Sequence, residues 1–247
     1  MNYERGIGLM NKTDKEWKLI TPSIEVVETF NEFWTSNPSK TTIQLFEKGD
    51  LIDVKNYISE FSDFENGDND IRNTGDMESF LKKINDTYHT RVTGISQLVL
   101  KLADKDIHDK NDLKRCIKEE KLTLPQFVKI CKETTGDYTY SFATKVFSFL
   151  DEKKYPIVDS IVATLLDEYE YEGKISPRSK WGDYSLYIAN YNSFKCEFGL
   201  DKLSNKKIDK FLWTYGKIID AYWIDMGVLR FSAVSFNPKT IERCRDI

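Results

Sequence analysis

Apolar side chains recur every third or fourth residue along most of this chain, and that period restricts its fold more than any other feature. Ile24, Val27, Phe30 and Trp34 follow it behind the helix-start signal Thr21-Pro22-Ser23, and Asn37-Pro38 closes the run. Phe80, Leu81, Ile84 and Tyr88 repeat it, as do Ile95, Leu98, Leu100 and Leu102. Thr123 precedes Leu124-Pro125 as an N-cap with proline in the first turn, and Phe127, Ile130 and Cys131 form the face behind it. Tyr184, Tyr187, Ile188, Tyr191, Phe194 and Phe198 mark a further helix. Ser204 caps the last one, whose face is Ile208, Phe211, Leu212, Tyr215, Ile218 and Ile219. There is no sustained βαβ rhythm and no repeat. With only 12 Gly and 6 Pro in 247 residues, turns are too few for a β-sandwich. The pattern predicts an all-α protein, long enough for one large domain or two lobes.

The intervening segments are read the same way. Residues up to Ile20 are polar and peripheral. Thr41–Phe61 carries Ile43, Phe46, Leu51, Val54 and Ile58, which predicts a helix interrupted at Gly49-Asp50. Glu60–Glu78 holds seven acidic residues against one arginine, and its centre, Asp63–Asp76, is expected to be a solvated, mobile loop. Glu133–Tyr140, around Gly136, connects two helices. Gly173–Gly182, GKISPRSKWG, forms a basic loop, and Gly227–Phe236 is compatible with a short strand or a turn.

Charge and composition remove several classes of function. A net charge of −4 speaks against a general nucleic-acid coat. The imbalance is local, however: residues 1–120 carry 17 basic and 23 acidic side chains, whereas residues 121–217 carry 15 and 13. Any DNA contact is therefore expected in the second half. No apolar run approaches the roughly 18–20 residues that span a bilayer, and the N-terminal stretch lacks the apolar core of a signal peptide, so a cytoplasmic protein without membrane contact is expected. Cys116, Cys131, Cys196 and Cys244 form no C-x-x-C pair, and His89 and His108 are the only histidines. The cysteines are expected to be buried free thiols, with no metal site. A phosphate-binding P-loop, G-x-G-x-x-G after a strand, H-E-x-x-H and G-x-S-x-G are all absent.

Chemistry concentrates in Ser141–Val162, SFATKVFSFLDEKKYPIVDSIV. Phe142, Val146, Phe149 and Leu150 make an apolar helical face with Lys145 on its flank. Asp151–Lys154 is a charged turn, Tyr155-Pro156 forces extended backbone, and Asp159 opens the next helix. Lys145 reads either as a lysine whose stem covers the apolar face or as a nucleophile. Asp159 reads either as an N-cap or as the electrostatic partner of that lysine. Tyr184, Tyr187 and Tyr191, and likewise Trp213 and Trp223, either line a base-stacking pocket or pack the core with the tyrosine hydroxyls near the surface.

The string F-A-T-K-V-F-x-F-L, a short gap and then Y-P-I-V-D-S-I-V resembles the helix-hairpin-helix DNA glycosylases, in particular the 8-oxoguanine DNA glycosylase-like group. The resemblance covers about Thr134–Lys217. It implies a two-lobed helical fold: an N-terminal lobe over 1–120, a glycosylase-like lobe over 121–217 and an extension, 218–247, packing on the core. It implies that Lys145 is the nucleophile and Asp159 the aspartate that steadies the sugar cation. The implied partner is DNA bearing a damaged or modified base, taken by a monomer without a cofactor. Lys145, placed near a helix N-terminus, would be helped toward its neutral form. Lys153 and Lys154 of the charged turn, with Lys174, Arg178 and Lys180 of the basic loop, would grip the phosphates. The chain departs from the family in two ways. Ser141, Phe142 and Ala143 stand where a G-V-G hairpin usually precedes the lysine, and the gap from lysine to aspartate is shorter. A helical binding module, or a glycosylase for an unusual modified base without strand cleavage, are the competing expectations.

Overall fold

Helix signals in the sequence become caps in the computed structural model, which describes residues 18–225 apart from 36–37, 48–50, 56–57, 137–138, 172 and 174–181. The described residues are mainly helical. Ser23 has extended backbone, and its hydroxyl accepts from the Val26 N–H at 3.2 Å to start α1 (Ile24–Glu32). Asp76 and Asp109 do the same for α3 (Met77–Thr87) and α5 (Lys110–Lys118), with α4 (Ile95–Ala103) between them. Thr123 and Gln126 form a capping box for α6 (Leu124–Thr135), which ends at Gly136 with φ 85°, a conformation that glycine adopts freely. Then follow α7 (Tyr140–Leu150), α8 (Ser160–Glu168), α9 (Gly182–Glu197) and α10 (Asn205–Asp225).

Two expectations for the N-terminal half are corrected. Thr41–Phe61 is not a helix. It contains β1 (Thr42–Gln44) and β2 (Leu51–Asp53), an antiparallel pair in which Ile43 faces Ile52. The β-branched Thr42, Ile43 and Ile52 suit this pairing, and Ile43 alone of its strand turns into the core. The acidic stretch is not a loop either: most of it lies in α2 (Ile58–Asn73). Phe61, Phe64, Asp68 and Ile71 fall at helical spacing, and Phe61, Asp68 and Ile71 are buried. The helix tolerates its charge because distant lysines neutralise it: Lys206 pairs with Asp68, Lys210 with Glu65 and Lys83 with Asp70. Lys110 closes its C-terminus by donating to the carbonyls of Ile71, Arg72 and Thr74 at 3.2, 2.7 and 2.8 Å.

One hydrophobic core runs from Val27 to Ile219, and α10 is its spine, packed between α1 and α8. Phe30 of α1 meets Phe211 and Tyr215 of α10 edge-on at 5.2 and 5.4 Å between ring centroids. The Trp34 Nε1–H donates to Thr214 Oγ1 at 2.8 Å, a buried bond across 180 residues. The helix continues unbroken past residue 217, with Ile218 and Ile219 buried. Cys131 is buried, but Cys116 is half-buried and Cys196 exposed, so burial of the thiols holds only for Cys131, while Cys244 lies outside the described residues. Gly227–Phe236 also lies outside them. Among the described residues, no helix is long and apolar enough to cross a membrane.

The α8–α10 crossing depends on Gly216, where an added Cβ would lie 2.3 Å from Ile161 Cγ2. Gly216→Ala is expected to destabilise the protein by about 1–3 kcal/mol through overpacking, although alanine is the better helix former by about 1 kcal/mol. In an Ile161→Ala background the same substitution should be neutral or stabilising. Urea unfolding of the four proteins measures both effects.

Candidate active site

Helix α7 has almost no solvent face. Phe142, Ala143, Thr144, Val146, Phe147 and Ser148 are all buried, so the lysine among them is buried too, with a side chain 3% exposed. Lys145 is the sixth residue of α7, in its second turn. The expected help from a helix N-terminus is therefore weak, because that field fades within the first turn. Ser141, one turn earlier, accepts a hydrogen bond from Lys145 Nζ at 2.7 Å. Burial pulls the Lys145 pKa below the usual lysine value, and the Asp159 carboxylate only partly opposes this.

Asp159 reaches the lysine from a buried run of extended backbone. Pro156 has no N–H to satisfy, but the rest of the run needs partners, and side chains from α7, α9 and α10 supply them. Asp209 Oδ2 accepts from the Ile157 N–H at 3.0 Å, and Thr144 Oγ1 accepts from the Val158 N–H at 3.1 Å. Tyr184 and Tyr187 donate to the carbonyls of Pro156 and Ile157 at 3.3 and 2.7 Å. Tyr191 donates to Asp209 Oδ1 at 2.8 Å. The tyrosine stripe thus packs the core with its hydroxyls pointing inward, those of Tyr184 and Tyr187 onto the segment that delivers Asp159 and that of Tyr191 onto Asp209. Asp159 then divides its carboxylate. Oδ1 caps α8 by accepting from the Ile161 N–H at 2.9 Å, and Oδ2 stands 3.7 Å from Lys145 Nζ. The two sequence readings of this aspartate are therefore compatible.

Both residues line one pocket, which encloses about 420 Å³ of empty space when the solvent at its open mouth is included. Trp34, Phe64, Tyr88 and Trp213 give it an aromatic wall. Lys206, Asp209 and Lys210 of α10 complete it. The sequence reading missed these three, together with Trp34, Phe64 and Tyr88 as pocket residues. Their signal was present in Lys206, Asp209, Lys210 and Trp213, a charged and aromatic stripe at helical spacing beside the apolar face of α10. Lys153 and Lys154 are exposed on the α7–α8 connection, away from this lining, and Lys154 pairs with Glu120 at 2.5 Å. Lys174, Arg178 and Lys180 lie outside the described residues. Among the described residues, no group of His, Cys, Asp and Glu side chains is arranged to hold a metal ion. No protein-family model, no curated protein and no solved structure matches the chain.

Asp209 gives the site a measurable pH dependence. Burial raises its carboxyl to about 7, against the opposing pull of the Ile157 and Tyr191 hydrogen bonds and of Lys206 and Lys145. The folded state therefore holds a proton that the unfolded chain has released above roughly pH 4. The associated stability is complete below that value and is lost as pH rises through about 7. Urea midpoints between roughly pH 5 and 8 should fall with rising pH more steeply in the wild type than in Asp209→Asn.

Proposed function

We propose that this protein is a DNA glycosylase in which Lys145 attacks the sugar C1′ of a nucleotide turned out of the duplex. The observation that carries this reading is the convergence of Lys145 Nζ and Asp159 Oδ2, 3.7 Å apart in one aromatic pocket. A lysine that served only to cover an apolar face would carry its amine out to water. The Lys145 amine is instead buried and biased toward the neutral form that a nucleophile needs. A base inside a duplex is out of reach, so the target nucleotide must leave the stack, and the Trp34, Phe64 and Trp213 rings offer surfaces to receive it.

In this mechanism the lone pair of Lys145 forms a bond to C1′ as the glycosidic C1′–N bond breaks, and the bonding pair leaves with the base. The lysine nitrogen sheds a proton and the departing base gains one. Asp159 steadies the positive charge that develops on the sugar as these bonds exchange. Ser141 and Asp159 together hold the amine from two sides before attack. Opening of the sugar gives an imine, from which strand cleavage by β-elimination can follow.

Borohydride trapping tests the reading. The protein is incubated with duplexes bearing oxidised purines, uracil, alkylated bases, abasic sites or modified cytosines, and base release is followed in parallel. A covalent adduct is expected that maps by mass spectrometry to Lys145, not to Lys206 or Lys210. Lys145→Gln should abolish it without loss of fold. Asp159→Asn should retain the cap, since asparagine caps nearly as well, yet lower the rate of adduct formation. Because the Lys145 pKa is lowered, the adduct rate should rise with pH and level off below the ordinary lysine value of about 10.4. Neither adduct nor released base from any duplex would leave a helical binding module as the better account.

A further inference from the structure

Three lysines line the pocket, and their settings differ. Lys145 is the buried amine described above. Lys210 pairs with Glu65 and lies 4.6 Å from the centre of the Trp34 ring, and burial lowers its pKa. Lys206 is held otherwise. Its Nζ stands 2.5 Å from Asp68 Oδ2 and donates to the Tyr88 hydroxyl at 3.2 Å, while that hydroxyl donates to Asp68 Oδ1. The three groups close a ring of contacts in which each orients the next. Asp68 is 1% exposed and Lys206, which lines the pocket, has a side chain 12% exposed. Burial opposes the Lys206 charge, but Tyr88 and Asp68 outweigh it and hold the ammonium protonated.

A buried ion pair of this kind contributes little net stability, because each charge must first lose its water. Two apolar residues of similar volume would fill the same space at no greater cost. What the pair does achieve is to fix one ammonium at the pocket wall. An ammonium carries three N–H groups; Tyr88 accepts from one of them, and the Asp68 carboxylate holds the charge as an ion pair. The pocket that this ammonium lines also holds the rings of Phe64, Trp34 and Trp213, with Phe64 and Trp213 5.1 Å apart and Trp34 and Trp213 5.8 Å apart, and the carboxyl groups of Asp159 and Asp209.

We propose that Lys206 selects the ligand: its ammonium donates to an acceptor on the edge of a planar ring held against these aromatic side chains. The site then takes bases that present a carbonyl or anionic edge and rejects cationic, ring-alkylated ones, which would bring like charges together. This inference rests on the pocket being the base-binding site of the proposed glycosylase. It adds a second role in the same event, since the electron pair of the broken C1′–N bond leaves on the base, where a fixed ammonium stabilises it.

The test uses the intact protein and three purines of different charge: urate, which is anionic near neutral pH, hypoxanthine, which is neutral, and the cation 1-methyladenosine. Calorimetric titration should show urate bound most tightly and 1-methyladenosine not bound. Lys206→Met alone strands the Asp68 carboxylate and risks the fold, so the deciding variant is Lys206→Met/Asp68→Asn, which removes both charges and leaves Tyr88 a partner. Urate binding should weaken by about tenfold or more in that variant, the scale of a charged hydrogen bond. Unchanged urate binding in the double variant, equal binding of 1-methyladenosine, or no binding of any of the three would overturn the inference. The two readings separate cleanly. Urate binding that depends on Lys206, with neither a Lys145 adduct nor released base from any duplex, would support Lys206 as the selector and remove the glycosylase. A Lys145 adduct whose base preference is untouched by the double variant would do the reverse.

Discussion

Four residues outside any helix or strand, Tyr155–Val158, are buried between α7 and α8, and the site is built on the need to satisfy them. Helices satisfy their own backbone groups, but a buried strand without a sheet partner cannot. Here side chains stand in for the missing neighbour: Asp209, Thr144, Tyr184 and Tyr187 take the donors and acceptors that a second strand would have met. They come from three helices, so the position of Asp159 is fixed by the packing of α7, α9 and α10 together. The carboxylate of Asp209 is the most exacting member of this set, because it is buried and serves α9 and the extended segment at once.

The pocket also shows how one fold can give chemically identical side chains opposite characters. Lys145 and Lys206 both lie against the Tyr88 ring, at 5.4 and 5.8 Å. Burial acts on both, yet the first has a carboxylate at 3.7 Å and the second has one at 2.5 Å inside a closed ring of contacts. The difference in partner decides the outcome: one amine is released toward its neutral form and the other is kept as an ammonium. Groups of one type whose environments push their protonation apart are a recurring basis for dividing the labour of a reaction.

Much of the helical framework was legible in the sequence, because amphipathic periodicity and caps such as Ser23 and Thr123 are local signals. Lys145 and Asp159 were legible for the same reason: they stand 14 positions apart in one recognisable string. The rest of the pocket was not, since its information is relational. Asp68 looks like one more charge in an acidic run until Lys206, far along the chain, arrives beside it. The α10 stripe looks like a solvated face until Trp34, Tyr88 and the side chains of α2 meet it. The β1–β2 pairing was missed because short apolar segments fit either period when read alone, and only the partner strand decides between them.

The bond from Trp34 to Thr214 joins positions 180 residues apart, and the aromatic wall of the pocket hangs on it. Contacts of such sequence separation carry a large loop-closure cost and tend to form late in folding. The segment that bears Lys145 and Asp159 therefore acquires its complete surroundings only when these two distant parts of the chain have met. Until then the lysine is an ordinary solvated ammonium. The lowered pKa of Lys145 is thus a property of the finished tertiary structure, and an incompletely folded chain carries the same residues with an ordinary lysine among them.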